Sequence, residues 1–98
     1  MSNLKLLIHS RKYIRKSITE NHNRKLNFPS MTSDERLNLQ ARLKNDQEQL
    51  RSLNSQIQSL TWEKDEDEQW LDNELKNCDE YETKLIECLT LLQKKVVS

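Results

Sequence analysis

Apolar residues recur after the single proline with a spacing that alternates between four and three positions. A period of 3.5 residues that lasts for nearly eight heptads is typical of a coiled coil. The pattern therefore predicts an all-α protein in which residues 32–98 form a long amphipathic coiled-coil helix. The apolar members of the two repeating sets, here called the heptad seam, are Leu39, Leu43, Leu50, Leu53, Ile57, Leu60, Leu71, Cys78, Tyr81, Leu85, Cys88 and Leu92.

Charged residues interrupt the repeat near its middle, at Lys64, Asp67 and Glu74. Two architectures are consistent with this weak region. One is a continuous helix, and the other folds back through residues 61–70 as a helical hairpin or, with the N-terminal segment, a three-helix bundle. The connection contains no Gly, Pro or Asn, so the sequence favours the continuous helix. Apolar residues beside the second half of the seam predict contact with more than one neighbouring helix; they are Trp70, Leu75, Leu89 and Leu91.

A shorter helix is predicted before the proline, over about residues 3–25, because apolar residues recur there at helical spacing. Pro29 excludes an ordinary helix at the end of this region, so residues 1–31 read as a basic N-terminal helix and a linker. Thr32 and Glu35 then form a capping-box pattern that predicts the start of the long helix.

The composition narrows the function as well as the fold. Of the 98 residues 34% are hydrophobic and 33% are charged, and there is no glycine. Without glycine the chain has no phosphate-binding loop, dinucleotide fingerprint or nucleophile elbow. His9 and His22 lack partners at zinc-site spacing. We therefore expect no enzymatic activity, catalytic residue, metal, cofactor or small-molecule substrate.

Charge is balanced overall but divided along the chain. Residues 1–31 contain seven basic residues and one acidic residue, whereas residues 63–82 contain ten acidic residues and two lysines. The basic helix offers a second function, a nucleic-acid-binding adaptor, because cations with Tyr13 among them suit a phosphate backbone. The contact residues of that alternative are Lys5, Arg11, Lys12, Arg15 and Lys16. The same helix lying on an anionic membrane surface is a weaker alternative because it lacks Trp and Phe anchors.

Apolar runs and cysteines bear on the compartment. The chain has no apolar run of signal-peptide or membrane-span length, so we expect an intracellular, cytoplasmic protein, with the nucleus left open. Cys78 and Cys88 are ten residues apart. That spacing is about 15 Å along a helix, against the ~7 Å between Cα atoms that a disulfide spans, and predicts reduced thiols.

The order of these features resembles a known family. The chain opens with Leu4-x-x-Leu7, Arg11, Ile14 and Ser17-Ile18-Thr19, followed by a break, a leucine-rich amphipathic helix, an acidic patch and a coiled segment with aromatic residues. This order resembles the N-terminal region of Gag-like polyproteins from Pao-type retrotransposons. The resemblance implies a helical self-association segment at the front of a particle-forming protein, with RNA nearby. No Cys/His knuckle or protease motif is present, so packaging and processing are not implied.

The principal hypothesis is a non-enzymatic interaction and self-assembly module, or scaffold. Ordering one residue costs on the order of 1.5 kcal/mol, and an isolated helix buries little apolar surface to offset it. The heptad seam must therefore pair with a second copy, pair with another helical protein, or fold back on its own chain.

Overall fold

The computed structural model describes residues 3–63 and 68–93. The elements are α1 (Asn3–Asn23), a 3₁₀ helix (Lys25–Ser30), α2 (Ser33–Glu63) and α3 (Glu68–Gln93). No strand occurs among the described residues, and the all-α prediction is confirmed. Lys64 and Asp67, the first two charged interruptions of the repeat, lie outside the described residues.

The segment between α1 and α2 behaves largely as the sequence predicts. Pro29 lies within the 3₁₀ helix rather than in a continuation of α1, and Phe28 beside it is only 3% exposed. The backbone N–H of Met31 donates to the carbonyl oxygen of Phe28 at 3.1 Å. The predicted linker is therefore a tight turn anchored by a buried aromatic ring.

The predicted capping residues stand at the start of α2. The backbone N–H of Glu35 donates to Thr32 Oγ1 at 3.2 Å, which is the first half of a capping box. In place of the expected bond from the Glu35 side chain to the Thr32 amide, the Thr32 hydroxyl donates to Glu35 Oε1 at 3.1 Å. The cap therefore satisfies an amide that the helix itself leaves without a partner.

Helices α2 and α3 are separate and lie side by side in opposite directions. Glu82 accepts hydrogen bonds from Gln47 at 2.8 Å and Arg51 at 2.5 Å, and Gln58 lies 3.8 Å from the Cys78 sulfur. Contacts later in α2 thus fall earlier in α3. The described part of the molecule is 54 Å long, whereas a continuous helix over residues 32–98 would measure about 100 Å. The single long helix favoured by the sequence is corrected to two.

Helix α1 contacts both of the others. Ser17 donates to Asp46 at 3.4 Å and Arg11 donates to Asn54 at 2.9 Å, so α1 is antiparallel to α2. It is therefore parallel to α3, which it meets through Arg11 and Glu74. Placing the basic helix beside the acidic stretch follows the charge division of the sequence.

A shared apolar core explains why the chain reverses. A single continuous helix would leave the apolar heptad seam in water. When the chain reverses, the seam residues of α2 and α3 cover each other and α1 covers both. The cost of ordering the chain is then offset within one molecule. The buried core residues are Ile18, Phe28, Leu43, Leu50, Ile57, Leu85, Cys88, Leu89 and Leu92.

Candidate functional site

An ion pair between α1 and α3 lies in the interior. Arg11 Nη1 donates to Glu74 Oε2 at 2.5 Å and Nη2 donates to Oε1 at 2.7 Å. The two side chains are 4% and 5% exposed. Arg11 Nη1 also donates to Asn54 on α2 at 2.9 Å, so one guanidinium joins all three helices. Two-point pairing is the strongest geometry available to Arg and a carboxylate.

Cys78 extends this polar cluster by one turn of α3. Its thiol donates to Glu74 Oε2 at 3.0 Å, and the Nη2 atom of Arg15 lies 3.7 Å from its sulfur. Burial, the bond to Glu74 and the Glu74 charge together raise the pKa of Cys78 to about 11. Burial alone would raise the pKa of Glu74, but hydrogen bonds from Arg11 and Cys78 and the positive charge of Arg11 lower it. The cluster therefore holds a carboxylate and a neutral thiol.

A basic groove opens on the surface beside this cluster, with a volume of about 760 Å³. All five basic residues that the sequence selects as nucleic-acid contacts line it, together with four others. The lining consists of Lys5, Ile8, His9, Arg11, Lys12, Tyr13, Arg15, Lys16 and Tyr81. Four of the five basic residues remain for a ligand, Lys5, Lys12, Arg15 and Lys16, because Arg11 is paired. The sequence places Arg11 on an exposed face, and the structure corrects this, because Arg11 is buried and paired with Glu74.

The other groove cations make no ion pair with an acid in the described part of the chain. Among the residues that the structure describes, no carboxylate lies within 4.0 Å of Lys5, Lys12, Arg15 or Lys16. No acidic residue is found in the described lining of the groove. The Nε atom of Arg15 is buried without a hydrogen-bond partner. The groove is therefore a concentration of positive charge without a carboxylate in direct contact, as far as the described residues go.

Aromatic rings flank the same groove. Tyr13 is 63% exposed and meets His9 edge to face, with ring centroids 5.3 Å apart. The Tyr81 ring lies under the Arg15 guanidinium, 4.8 Å from ring centroid to Cζ. Arg15 and Tyr81 are 66 positions apart in sequence, so local spacing gives no sign that a tyrosine of α3 belongs to a site on α1.

A second groove lies between the start of α1 and the end of α2, with a volume of about 440 Å³. Leucines and small or amide side chains line it, and none of the described lining residues is charged. Leu6 is 58% exposed there. We call this surface the leucine groove; its residues are Asn3, Leu6, Leu7, Ser55, Gln56, Ser59 and Leu60.

The heptad seam lies mostly inside the molecule. Leu43, Leu50, Ile57, Leu85, Cys88 and Leu92 are buried, and Leu39, Leu53, Leu60, Leu71, Cys78 and Tyr81 are half-buried. Residues of the same chain cover the seam. The sequence pattern does not identify Glu74 as the partner of Arg11, although an acid at a position of the apolar repeat is a signal that a cation lies opposite.

Both cysteines are free thiols, as their spacing predicts. Within residues 3–63 and 68–93 no group of three or more His, Cys, Asp or Glu side chains is placed to hold a metal ion. None of the helices described here combines the length and apolar character needed to cross a membrane. Comparison of the chain with protein-family models, with curated proteins and with solved structures finds no match.

Proposed function

We propose that this protein is a non-enzymatic helical module that self-associates through the leucine groove. The observation that carries the proposal is the exposed Leu6 beside Leu7 and Leu60, in a groove whose described lining residues are uncharged. An open apolar groove between two helices suits the apolar edge of a third helix. The first turns of α1 in a second copy provide such an edge.

The leucine groove suits a second copy of the chain better than either of the two charged faces does. In a two-fold symmetric contact each patch meets its own copy, so a patch of one sign repels itself. The basic groove on α1 and the exposed acids of α3 are such patches, and the acids are Glu68, Asp72, Asp79 and Glu80. The leucine groove carries no such penalty, because its described lining residues are uncharged.

The proposal assigns two roles to the apolar residues. The heptad seam pairs α2 with α3 as an antiparallel coiled coil within one chain, and the leucine groove makes the contact between chains. Leu60 contributes to both, since it belongs to the seam and to the groove lining. An oligomerisation segment at the front of a Gag-like protein, which the sequence resembles, would present a surface of this kind.

The absence of enzymatic activity is part of the same proposal. The thiol of Cys78, with a pKa of about 11, is almost entirely protonated near neutral pH and is a poor nucleophile. The carboxylate beside it is held by Arg11. These buried groups support a role in joining helices.

Sedimentation equilibrium over a concentration series tests the proposal. We expect the mass of the wild-type chain to rise with concentration and that of Leu6→Glu to stay at one chain. The matched control is Leu26→Glu, which places the same charge at a leucine that is 85% exposed outside the groove. Circular dichroism checks that both variants keep their helices. A wild-type chain that stays monomeric, or equal loss of assembly in both variants, would overturn the proposal.

A further inference from the structure

We infer that the basic groove is a binding site for single-stranded nucleic acid, in which α1 cations contact phosphates and the exposed ring of Tyr13 stacks on bases. This inference does not depend on self-association. The basic groove and the leucine groove have no described lining residue in common. Each can be removed by substitution while the other is kept.

The charge in the groove suits a phosphate backbone. Lys5, Lys12 and Lys16 are exposed on one helix, separated by about 10 Å and about 6 Å along its axis at 1.5 Å per residue. A rigid helix thus presents a row of ammonium groups at separations that successive phosphates of an extended strand can meet. Arg15 adds a fourth cation that lacks an acidic partner among the described residues.

An exposed tyrosine distinguishes this groove from a surface that is only basic. Tyr13 leaves most of its ring open to solvent. Tyr81 is half-buried, and two cations lie over its ring, Arg15 at 4.8 Å and Lys84 at 5.1 Å from the centroid, so it positions Arg15 and is not a stacking surface. Stacking on aromatic rings needs bases that are free of a duplex. The ring placement therefore favours a single strand over a double helix and over an acidic protein.

Arg11 has a positioning role in this site. Its charge is matched by Glu74, and its side chain is buried, so it is not counted among the phosphate contacts. The pair holds α1 against α3, which is what places Arg15 over Tyr81. The four cations that form no ion pair with a described residue, Lys5, Lys12, Arg15 and Lys16, then set an upper limit on the salt dependence. At about 0.7 per cation for a single strand, the slope of log affinity against log salt is at most about 3 in magnitude.

Fluorescence polarisation of a labelled oligouridylate, measured at several potassium chloride concentrations, tests the site. For Lys12→Gln/Lys16→Gln we expect weaker binding and a salt slope reduced by about 1.4. The matched control Lys44→Gln/Lys76→Gln removes the same charge from exposed positions outside the groove lining and should leave both values near wild type. For Tyr13→Leu we expect roughly fivefold to hundredfold weaker binding with an unchanged salt slope.

Several outcomes would overturn the inference. If the two lysine double variants weaken binding equally, attraction is to total charge and not to the groove. If a duplex of the same length binds as tightly as the single strand and Tyr13→Leu has no effect, Tyr13 does not stack on bases. Polyglutamate that displaces the oligonucleotide at equal charge concentration would identify an acidic protein as the ligand. Absence of binding at low salt would remove the site altogether.

Discussion

The guanidinium of Arg11 and the carboxylate of Glu74 meet at two points in the interior, although 63 positions separate them in sequence. Each is the other's main compensation for losing water, because burying a lone charge is far more costly than burying a pair. The pair joins the first helix to the last and, through Asn54, to the middle one.

Removing one partner of this pair should destabilise the fold strongly. Arg11→Ala leaves the Glu74 carboxylate buried without its cation, which we expect to lower the free energy of unfolding by about 3–5 kcal/mol in urea titrations. The control is Arg51→Ala. The Arg51 side chain is 63% exposed in its pair with Glu82, and its loss should cost less than about 1 kcal/mol. Equal effects of the two substitutions would contradict the buried position of Arg11.

Replacing both partners should be far better tolerated than replacing one. Arg11→Leu/Glu74→Leu puts apolar side chains in a buried site and leaves neither charge alone. We expect its urea midpoint to lie near that of wild type and well above that of Arg11→Ala. A double variant less stable than either single variant would show that hydrogen bonds to Asn54 and Cys78, rather than charge compensation, determine stability here.

The ion pair also predicts a stability profile in acid. The pKa of Glu74 is lowered from its ordinary value of 4.5, so the folded chain binds a proton there less readily than the unfolded chain. This contribution to stability is complete above pH 4.5 and is lost as the pH falls through the lower pKa of the folded state. Urea midpoints of wild type and Glu74→Gln should therefore converge as the pH falls below that value. A constant difference across the whole range would contradict the lowered pKa.

Cys78 should react slowly with thiol reagents in the folded protein. With a pKa of about 11, its thiolate fraction at pH 8 is about 100-fold smaller than that of a thiol at the ordinary value of 9.0. In Cys88→Ser, which isolates Cys78, a chromogenic disulfide reagent should react at least that much more slowly with folded than with urea-unfolded chain. Similar rates in the two states would show that the thiol is neither buried nor bonded to Glu74.

The intramolecular position of the heptad seam predicts unequal effects of two leucines. Leu50 is fully buried, so Leu50→Ala should lower the free energy of unfolding by about 2–5 kcal/mol. Leu75, on α3 but 54% exposed, should change it by less than about 0.5 kcal/mol when replaced by Ala. Urea denaturation followed by circular dichroism measures both. A large effect at Leu75 would indicate that this face is covered by another molecule.

Much of the local structure was predictable from neighbouring residues. Helical periodicity located α1 within two residues of its observed end, and Thr32 marked the start of α2. The repeat also selected Leu50 and Leu85, which are fully buried. The preference for one continuous helix failed because it relied on the lack of turn residues, a local signal. Burial of the seam on its own chain outweighs that signal.

In the candidate sites, too, the local features were predictable from the sequence and the long-range contacts were not. The row of cations on α1 was visible in the sequence, because about three turns of one helix carry it. The sequence did not show which of these cations can contact a ligand, since Arg11 is paired with the Glu74 carboxylate on another helix. Tyr81 joined the site for the same reason, through contact with Arg15 across two helices.

By itself the sequence determined that the chain is helical and which edge of each helix is apolar. It also determined where α2 begins and that the two cysteines are too far apart to pair. These properties depend on residues within a few turns of each other, where hydrogen bonding and side-chain spacing act locally. Only the tertiary structure decided that the chain reverses, that Arg11 pairs with Glu74 and that Tyr81 flanks the basic groove. The Arg11–Glu74 and Arg15–Tyr81 contacts join residues more than sixty positions apart, and the reversal joins residues 20 to 35 positions apart. They are fixed by the burial of apolar surface and charge summed over the whole chain, which no local pattern contains.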